Sequence, residues 1–247
     1  MTLIQAFILG LIQGLTEFLP ISSSGHLVIA QHLFGMTEPP VLFDVVVHFG
    51  TLAAVIFFFA QDIIHLNISL IKKLVAATIP TGIIGLLLNP YTETLFQSLP
   101  ITMVGFVLTS ILLLYLRNQK ASPKKNALSL STALIIGTTQ GIAIMPGLSR
   151  SGSTIAVALL RGLKPETAFS FSFLLSVPAI TAATLLKFSE ISTPPDLSSL
   201  GVGFITAAIT GFLTLKLLRN ILLHHHFYRF GIYTALLTLV LLFGLLL

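Results

Sequence analysis

The sequence predicts an all-α polytopic membrane protein with an inverted-topology repeat, each half one re-entrant helical hairpin plus three transmembrane helices. Three observations carry this reading. Hydrophobic residues make up 55% of the 247 positions and charged residues only 9%, where a soluble domain holds about 25% charged. Six segments approach the roughly 20 apolar residues that a helix needs to cross a bilayer. Finally, the chain repeats itself at an offset of 127 residues. A mean hydropathy of +0.99 excludes an ordinary cytosolic enzyme, a disordered chain and a nucleic-acid binder. The chain holds no cysteine, so disulfides, thiolate metal sites and thiol catalysis are excluded as well.

The first apolar segment, residues 3–19, runs into Pro-Ile-Ser-Ser-Ser-Gly-His, and a short apolar piece follows at 27–34. Neither the break nor so short a piece suits a full crossing, so the pair reads as a hairpin that enters and leaves on one side. Polar backbone at that depth is tolerated only where it lines a protein cavity. A secretory signal would begin with basic residues, and none precedes Lys72, so the segment reads as part of the mature fold. Spans follow at 41–60, 70–88 and 100–116. A second interrupted region, 128–145 into Pro-Gly-Leu-Ser-Arg-Ser-Gly-Ser-Thr and then 155–160, reads as the second hairpin. The last spans are 167–186, 200–218 and 230–247.

The offset of 127 pairs Ala6 with Ala133, Ile8 with Ile135, Gly10 with Gly137, Gln13 with Gln140 and Gly14 with Gly141. It also pairs Ser22 with Ser149, Ser24 with Ser151 and Gly25 with Gly152. The chain is thus a single integral membrane domain, 1–247, with repeat 1 at about 1–120 and repeat 2 at about 128–247. Three crossings per half invert the second repeat, the architecture of many transporters with sites near the midplane.

Charge supplies an independent orientation. This threading puts Lys72, Lys73, Arg117, Lys120, Lys124, Lys125, Arg161, Lys164, Lys216, Arg219 and Arg229 on one side. The other side holds Lys187 with Glu38, Glu93, Glu190 and Asp196. By the positive-inside rule the first side is cytoplasmic, and both termini face outward. The net charge of +5 reflects that asymmetry rather than a nucleic-acid partner.

Glu17 and Arg150 sit inside the interrupted hairpins, and each costs about 2.5–3.5 kcal/mol at mid-membrane. A structural ion pair would explain them alone. It would not explain Ser22, Ser23, Ser24 and His26 after Glu17, or Ser149, Ser151, Ser153 and Thr154 around Arg150. These residue types suit phosphate. Gly25 and Gly152 permit close backbone approach. Helix N-termini beginning at the serines present N–H groups and positive dipole ends. Arg150 adds bidentate recognition of phosphate oxygens. Pro20 and Pro146 suit the breaks.

Attack on phosphorus needs a base within reach. His26, three residues after Ser23, falls on the same face of the first helical turn. Glu17 is a candidate divalent-ion ligand, a partner for His26 or the base itself, and Gln13 shares its helical face. Asp44 and His48, four apart, read as a polar helix face or as cavity lining. His32 and His65 read as interfacial, His224–His226 as a juxtamembrane turn, and Tyr91, Tyr115, Tyr228 and Tyr233 as interfacial aromatics.

Residues 13–26, QGLTEFLPISSSGH, and 146–154, PGLSRSGST, resemble the two signature motifs of bacterial undecaprenyl-diphosphate phosphatases of the bacitracin-resistance type. LFDVVVHFGTLAAV at 42–55 and FSFLL at 171–175 fit as well. The resemblance implies hydrolysis of undecaprenyl diphosphate to the monophosphate, which recycles the lipid carrier of cell-wall synthesis. It implies a polyprenyl diphosphate substrate, a divalent cation (Mg2+ or Ca2+), a cytoplasmic (inner) membrane location, an active site opening to the extracytoplasmic side, and bacitracin resistance when overproduced. By motif position Glu17, Ser23, His26 and Arg150 are the expected catalytic residues, with Glu17 on the metal. Gln13, Ser22, Ser24, Gly25, Ser149, Ser151, Gly152 and Thr154 are the expected substrate contacts. Family members often have Glu where this chain has Gln13, which shifts the metal's weight onto Glu17. Whether Ser23 or an activated water attacks, and whether the chain forms a homodimer, stay open. The rival reading from another class is an inverted-repeat transporter or flippase for a phosphorylated lipid or small anion.

Overall fold

A computed structural model describes residues 1–36, 41–117, 127–188, 196–224 and 226–246. The described residues hold helices and no strand. In chain order the helices are α1 (Leu3–Thr16), α2 (Ser23–Leu33), α3 (Val41–Phe58), α4 (Ala60–Ile64), α5 (Ile68–Leu88), α6 (Thr92–Gln97) and α7 (Leu99–Arg117). Then come α8 (Leu130–Ile142), α9 (Arg150–Leu160), α10 (Pro165–Phe188), α11 (Leu197–Leu223) and α12 (Arg229–Leu246).

Four helical stretches are long and apolar enough to cross a membrane: Ile68–Tyr91, Leu99–Arg117, Pro165–Leu186 and Leu197–Leu223. The chain is a polytopic membrane protein. The other two expected spans are shorter. α3 and α12 have 18 residues each, about 27 Å at 1.5 Å per residue. α3 breaks at Phe59 before α4, so the expected 41–60 span is not one continuous helix. Among the loop charges, Lys120, Lys124, Lys125, Glu38 and Glu190 lie outside the described residues, as does the middle of the His224–His226 run.

The polar breaks start and stop the short helices. α1 has 14 residues, α2 11, α8 13 and α9 11, too few to cross. Thr2 and Gln5 form a reciprocal capping box at the start of α1, and Ser129 caps α8. Ser22 and Ser149 cap α2 and α9, each side chain accepting the N–H three residues on. The α1 and α8 starts are 127 residues apart, and so are those of α2 and α9.

Small residues set the packing, as they do where lipid offers no hydrophobic drive between helices. α1 lies on α11: a Cβ at Gly10 would sit 2.7 Å from the Gly203 carbonyl oxygen. α8 lies on α5 in the same way, a Cβ at Gly137 meeting the Ala77 carbonyl at 2.0 Å. These are the same two helices of each half with partners exchanged. α3 packs against α10 and α7 against α12, so each also meets its counterpart in the other half. Ser110 on α7 donates to the Gly231 carbonyl on α12 at 2.7 Å. In the core Phe18, Phe59, Phe169 and Phe173 form an aromatic cluster, edge-to-face for Phe18–Phe173 and Phe169–Phe173, tilted for Phe59–Phe169 and stacked for Phe59–Phe173. Leu, Ile, Val and Phe side chains of α5, α7, α11 and α12 cover the exposed faces.

Candidate active site

The break after α1 and the break before α9 meet in the middle of the bundle. Glu17 closes α1 at its C-terminal cap position and is almost fully buried. Arg150 opens α9. Its Nη2 donates to Glu17 Oε1 at 2.5 Å, and its guanidinium carbon lies 5.8 Å from the centre of the Phe173 ring. Ser23, the first residue of α2, donates its hydroxyl to Glu17 Oε2 at 2.5 Å. Gln13, one turn earlier on α1 and wholly buried, donates Nε2 to the same Oε2 at 3.1 Å and to Thr51 Oγ1 at 3.4 Å. One carboxylate therefore gathers a hydroxyl, a guanidinium and an amide.

Two buried polar atoms in this cluster have no hydrogen-bond partner: Arg150 Nη1 and Gln13 Oε1. A buried unpaired polar atom is costly. Here one is a charged donor and the other an oxygen, the two kinds of atom that a phosphate and its counter-ion would satisfy.

The serine shell divides. Ser22 Oγ accepts from Gly25 N at 3.4 Å and lies 3.2 Å from Ser24 Oγ. Ser149 Oγ accepts from Gly152 N at 3.1 Å and lies 3.3 Å from Ser151 Oγ, which donates to the Leu19 carbonyl at 3.3 Å. The caps thus use up one N–H of each terminus and leave those of the two residues before it. Ser22 itself has φ 68, the left-handed region that a residue with a Cβ enters at a cost. Ser153 Oγ is buried without a partner. Thr154 Oγ1 donates to the Arg150 carbonyl at 2.8 Å and pairs with Ser172 Oγ at 2.5 Å, fixing α9 to α10.

Three expectations need correction. His26 was expected to face Ser23, but Ser23 pairs with Glu17. His26 Nδ1 lies 2.7 Å from the Ser22 carbonyl oxygen and Nε2 2.8 Å from the Tyr233 hydroxyl. Its ring stacks on Tyr233 at 5.8 Å and meets the edge of Phe106 at 5.6 Å. Sharing a face of the first turn does not bring the two side chains together when each has a close partner elsewhere. Second, close packing of side chains, and not only the expected approach of a ligand, requires the glycines. A Cβ at Gly25 would strike the Phe106 ring at 2.5 Å, and one at Gly152 would lie 3.0 Å from Pro20 Cβ. Third, Tyr233 is a partner of His26 and not merely an interfacial aromatic.

Some contributors were missed or undervalued in the sequence. His48 on α3 brings Nε2 to 3.8 Å from Glu17 Oε2, while its Nδ1 lies 2.7 Å from the Asp44 carbonyl oxygen. The Asp44 carboxylate is held by Gln31 Nε2 at 2.8 and 3.0 Å. Asp44, His48 and Thr51 fall at i, i+4 and i+7, so the signal was present as a polar stripe on an apolar helix. Ser172 carried no such signal.

No three His, Asp or Glu side chains cluster among the described residues. The residues nevertheless suit a hard divalent cation. Glu17 offers carboxylate oxygen, and Gln13 Oε1 is a buried oxygen without a partner beside it. Mg2+ is commonly held by one or two protein oxygens, with phosphate oxygens and water completing its shell.

Fold and site together define a polytopic membrane protein with a buried hydroxyl–carboxylate–guanidinium centre where two broken helices meet. The chain belongs to the bacitracin resistance protein BacA family, which matches residues 6–240. It is 40% identical over 250 residues to the undecaprenyl-diphosphatase of Syntrophotalea carbinolica, covering 94% of this chain and 95% of that one. The undecaprenyl-diphosphatase of Carboxydothermus hydrogenoformans is 42% identical over 234 residues, 88% of either chain. That of Moorella thermoacetica is 40% identical over 251 residues, 96% of this chain and 95% of its own.

Proposed function

We propose that this chain hydrolyses undecaprenyl diphosphate to undecaprenyl phosphate and inorganic phosphate, with Ser23 as nucleophile. Family membership carries the reaction. The observation that carries the assignment of roles is the buried, unpartnered Nη1 of Arg150, next to the carboxylate that accepts the Ser23 hydroxyl. The Ser23 oxygen attacks the terminal phosphorus as its proton passes to Glu17. The O–P bond forms while the anhydride P–O bond breaks. Undecaprenyl phosphate leaves as an anion and needs no proton. Water then attacks the phosphoserine, the P–Oγ bond breaks, Glu17 returns its proton to the Ser23 oxygen, and the water's oxygen and hydrogens leave with the inorganic phosphate. Arg150 keeps Nη2 on Glu17 and offers Nη1 to the transferring phosphoryl oxygens, where charge develops. The N–H groups at the starts of α2 and α9 add neutral donors. Glu17 and Gln13 would hold a divalent cation, Mg2+ or Ca2+, which when bound supplies charge neutralisation for the diphosphate.

The reading includes the finer architecture. The two halves form an inverted repeat in which α1–α2 and α8–α9 are re-entrant hairpins. The common offset of the helix starts and the exchanged α1–α11 and α8–α5 pairs support it. The chain lies in the cytoplasmic membrane with the site open to the extracytoplasmic side, as the charge asymmetry of the loops argues. Cysteine labelling in this Cys-free chain tests it. A cysteine at Ser122 should react only from the cytoplasmic face and one at Thr193 only from outside. Both positions lie outside the described residues. The opposite pattern would reverse the site's opening.

The decisive assay for the function is phosphate release from a long-chain prenyl diphosphate by the purified protein in detergent. Stoichiometric phosphate and prenyl monophosphate are expected. Lipid translocation without phosphate release would instead identify a carrier.

His26 acts through position in this scheme. Its Nδ1 grips the carbonyl of Ser22, the strained cap immediately before Ser23, and the Tyr233 hydroxyl occupies Nε2. Tyr233→Phe keeps the stack but removes one neutral hydrogen bond, worth about 1 kcal/mol. A three- to tenfold fall in kcat at unchanged KM is expected in steady-state phosphate release.

A further inference from the structure

Residues 146–149, the turn that leads into α9, are all buried. Backbone N–H and C=O groups in such a turn lack helical partners, and away from water each needs one from the chain. α7 supplies them. Thr109 Oγ1 donates to the Gly147 carbonyl at 3.0 Å and accepts the Ser149 N–H at 2.9 Å. One buried hydroxyl thus spends its hydrogen and a lone pair on two backbone groups of the same turn. Leu148 N closes that turn on the Met145 carbonyl at 3.1 Å. Gly147 has φ 81, the left-handed region, and a Cβ there would collide with the Thr102 carbonyl oxygen. A Cβ at Gly105 would collide with the Pro146 carbonyl oxygen. Thr102, Gly105 and Thr109 recur at helical spacing, so the turn lies along one face of α7.

The next residue is Arg150, which opens α9 with Nη2 on Glu17 Oε1 and Nη1 buried and unpartnered. A planar fork divided between a carboxylate and a phosphoryl group works only where its backbone is fixed to within about half an ångström. The offset of 127 residues sets Leu236, an exposed apolar residue of α12, in the place of Thr109. The first break is held differently, by His26 Nδ1 on the Ser22 carbonyl. The hydroxyl clamp therefore belongs to the break that carries the guanidinium. We propose that Thr109 is a positioning residue for phosphate hydrolysis: by pinning Gly147 and Ser149 to α7, it sets Arg150 where Nη1 meets the transferring phosphoryl group. Thr109 itself touches neither substrate nor reacting atoms. Its part in the reaction rests on the phosphatase reading through Arg150, whereas the clamp does not.

Two variants of the full chain in detergent test this. Thr109→Val keeps the side chain's shape without the hydroxyl, and Thr109→Ser keeps the hydroxyl. Amide hydrogen exchange over residues 146–152, read by mass spectrometry, reports the clamp without turnover. Thr109→Val should speed exchange there about tenfold or more as a buried N–H loses its partner, and Thr109→Ser should restore it. Steady-state phosphate release from a long-chain prenyl diphosphate reports the effect on Arg150. Thr109→Val should lower kcat about ten- to a hundredfold, the cost of a displaced reacting group, with KM within about twofold of wild type. Thr109→Ser should recover at least about half of the wild-type kcat, since it keeps both hydrogen bonds. In an Arg150→Lys background Thr109→Val should cost less than about threefold, because residues acting through one group are not additive. A hydroxyl that only stabilised the fold would lower both backgrounds alike, and that result overturns the proposal. Unchanged exchange or unchanged kcat in Thr109→Val overturns it too. Wild-type protein that releases no phosphate overturns the phosphatase reading, and exchange in Thr109→Val then decides the clamp by itself.

Discussion

Ser23→Ala is expected to lower single-turnover phosphate release by at least three powers of ten at saturating substrate. Its neighbours Ser22→Ala and Ser24→Ala should stay within about a hundredfold of wild type. The three hydroxyls lie within one turn, so sequence proximity cannot separate them, but their partners do. Ser23 alone donates to Glu17, at 2.5 Å. Ser22 accepts from a backbone N–H at 3.4 Å and pairs with Ser24. Removing a nucleophile abolishes the reaction path. Losing a shell or cap hydrogen bond costs about 1–3 kcal/mol, roughly ten- to a hundredfold. The experiment is rapid mixing of each variant with long-chain prenyl diphosphate, and the release of phosphate over one turnover is followed. If Ser23→Ala keeps more than about a tenth of the wild-type rate, Ser23 is a binding residue and water attacks directly.

Arg150→Lys is expected to lose at least two powers of ten in kcat/KM although its charge is kept. The guanidinium does two things at once in this site. Nη2 holds Glu17 Oε1, and Nη1 is buried, unpartnered and adjacent. A lysine ammonium is a compact point charge on a flexible stem and cannot divide itself along a planar fork. It would stay with the buried carboxylate, whose burial makes an unpaired charge expensive. The phosphoryl oxygens would then lose their donor, about 3 kcal/mol of the transition-state stabilisation typical for one such group. If Arg150 served only to neutralise Glu17, lysine would nearly suffice. Measuring kcat/KM together with the thermal midpoint separates the cases. Normal stability with low activity supports the clamp, and near-normal activity removes it.

Much of this architecture is legible in the chain because membrane insertion tolerates so few exceptions. A carboxylate and a guanidinium in apolar hairpins must be partnered, which is why Glu17 and Arg150 could be singled out. The repeat offset located the starts of α2 and α9 relative to one another, since Ser22 and Ser149 cap them in the same way. Side-chain direction was less accessible. That His26 follows Ser23 by three residues suggested a contact, yet the Tyr233 hydroxyl and the Ser22 carbonyl hold the ring away from it. Tyr233 lies 207 residues further along the chain, beyond any local pattern. The glycines of both motifs were equally ambiguous. Gly25 and Gly152 pack closely against Phe106 and Pro20, contacts that no local pattern announces.

The sequence by itself determined that the chain resides in a membrane, that it breaks twice with the same polar chemistry, and that a carboxylate and a guanidinium lie at those breaks. Burying a charge or an unpaired backbone in hydrocarbon costs so much that composition and pattern alone reveal where this must happen. Only the tertiary structure decided which groups meet. Ser23 joins Glu17 instead of His26, and His48 and Gln13 approach the same carboxylate from α3 and α1. The physical reason is that hydrogen bonds and ion contacts are selected over a few ångströms. The distances between them are set by how close the helices lie, and that closeness is set by small residues such as Gly14 and Gly211, where α1, α3 and α11 touch.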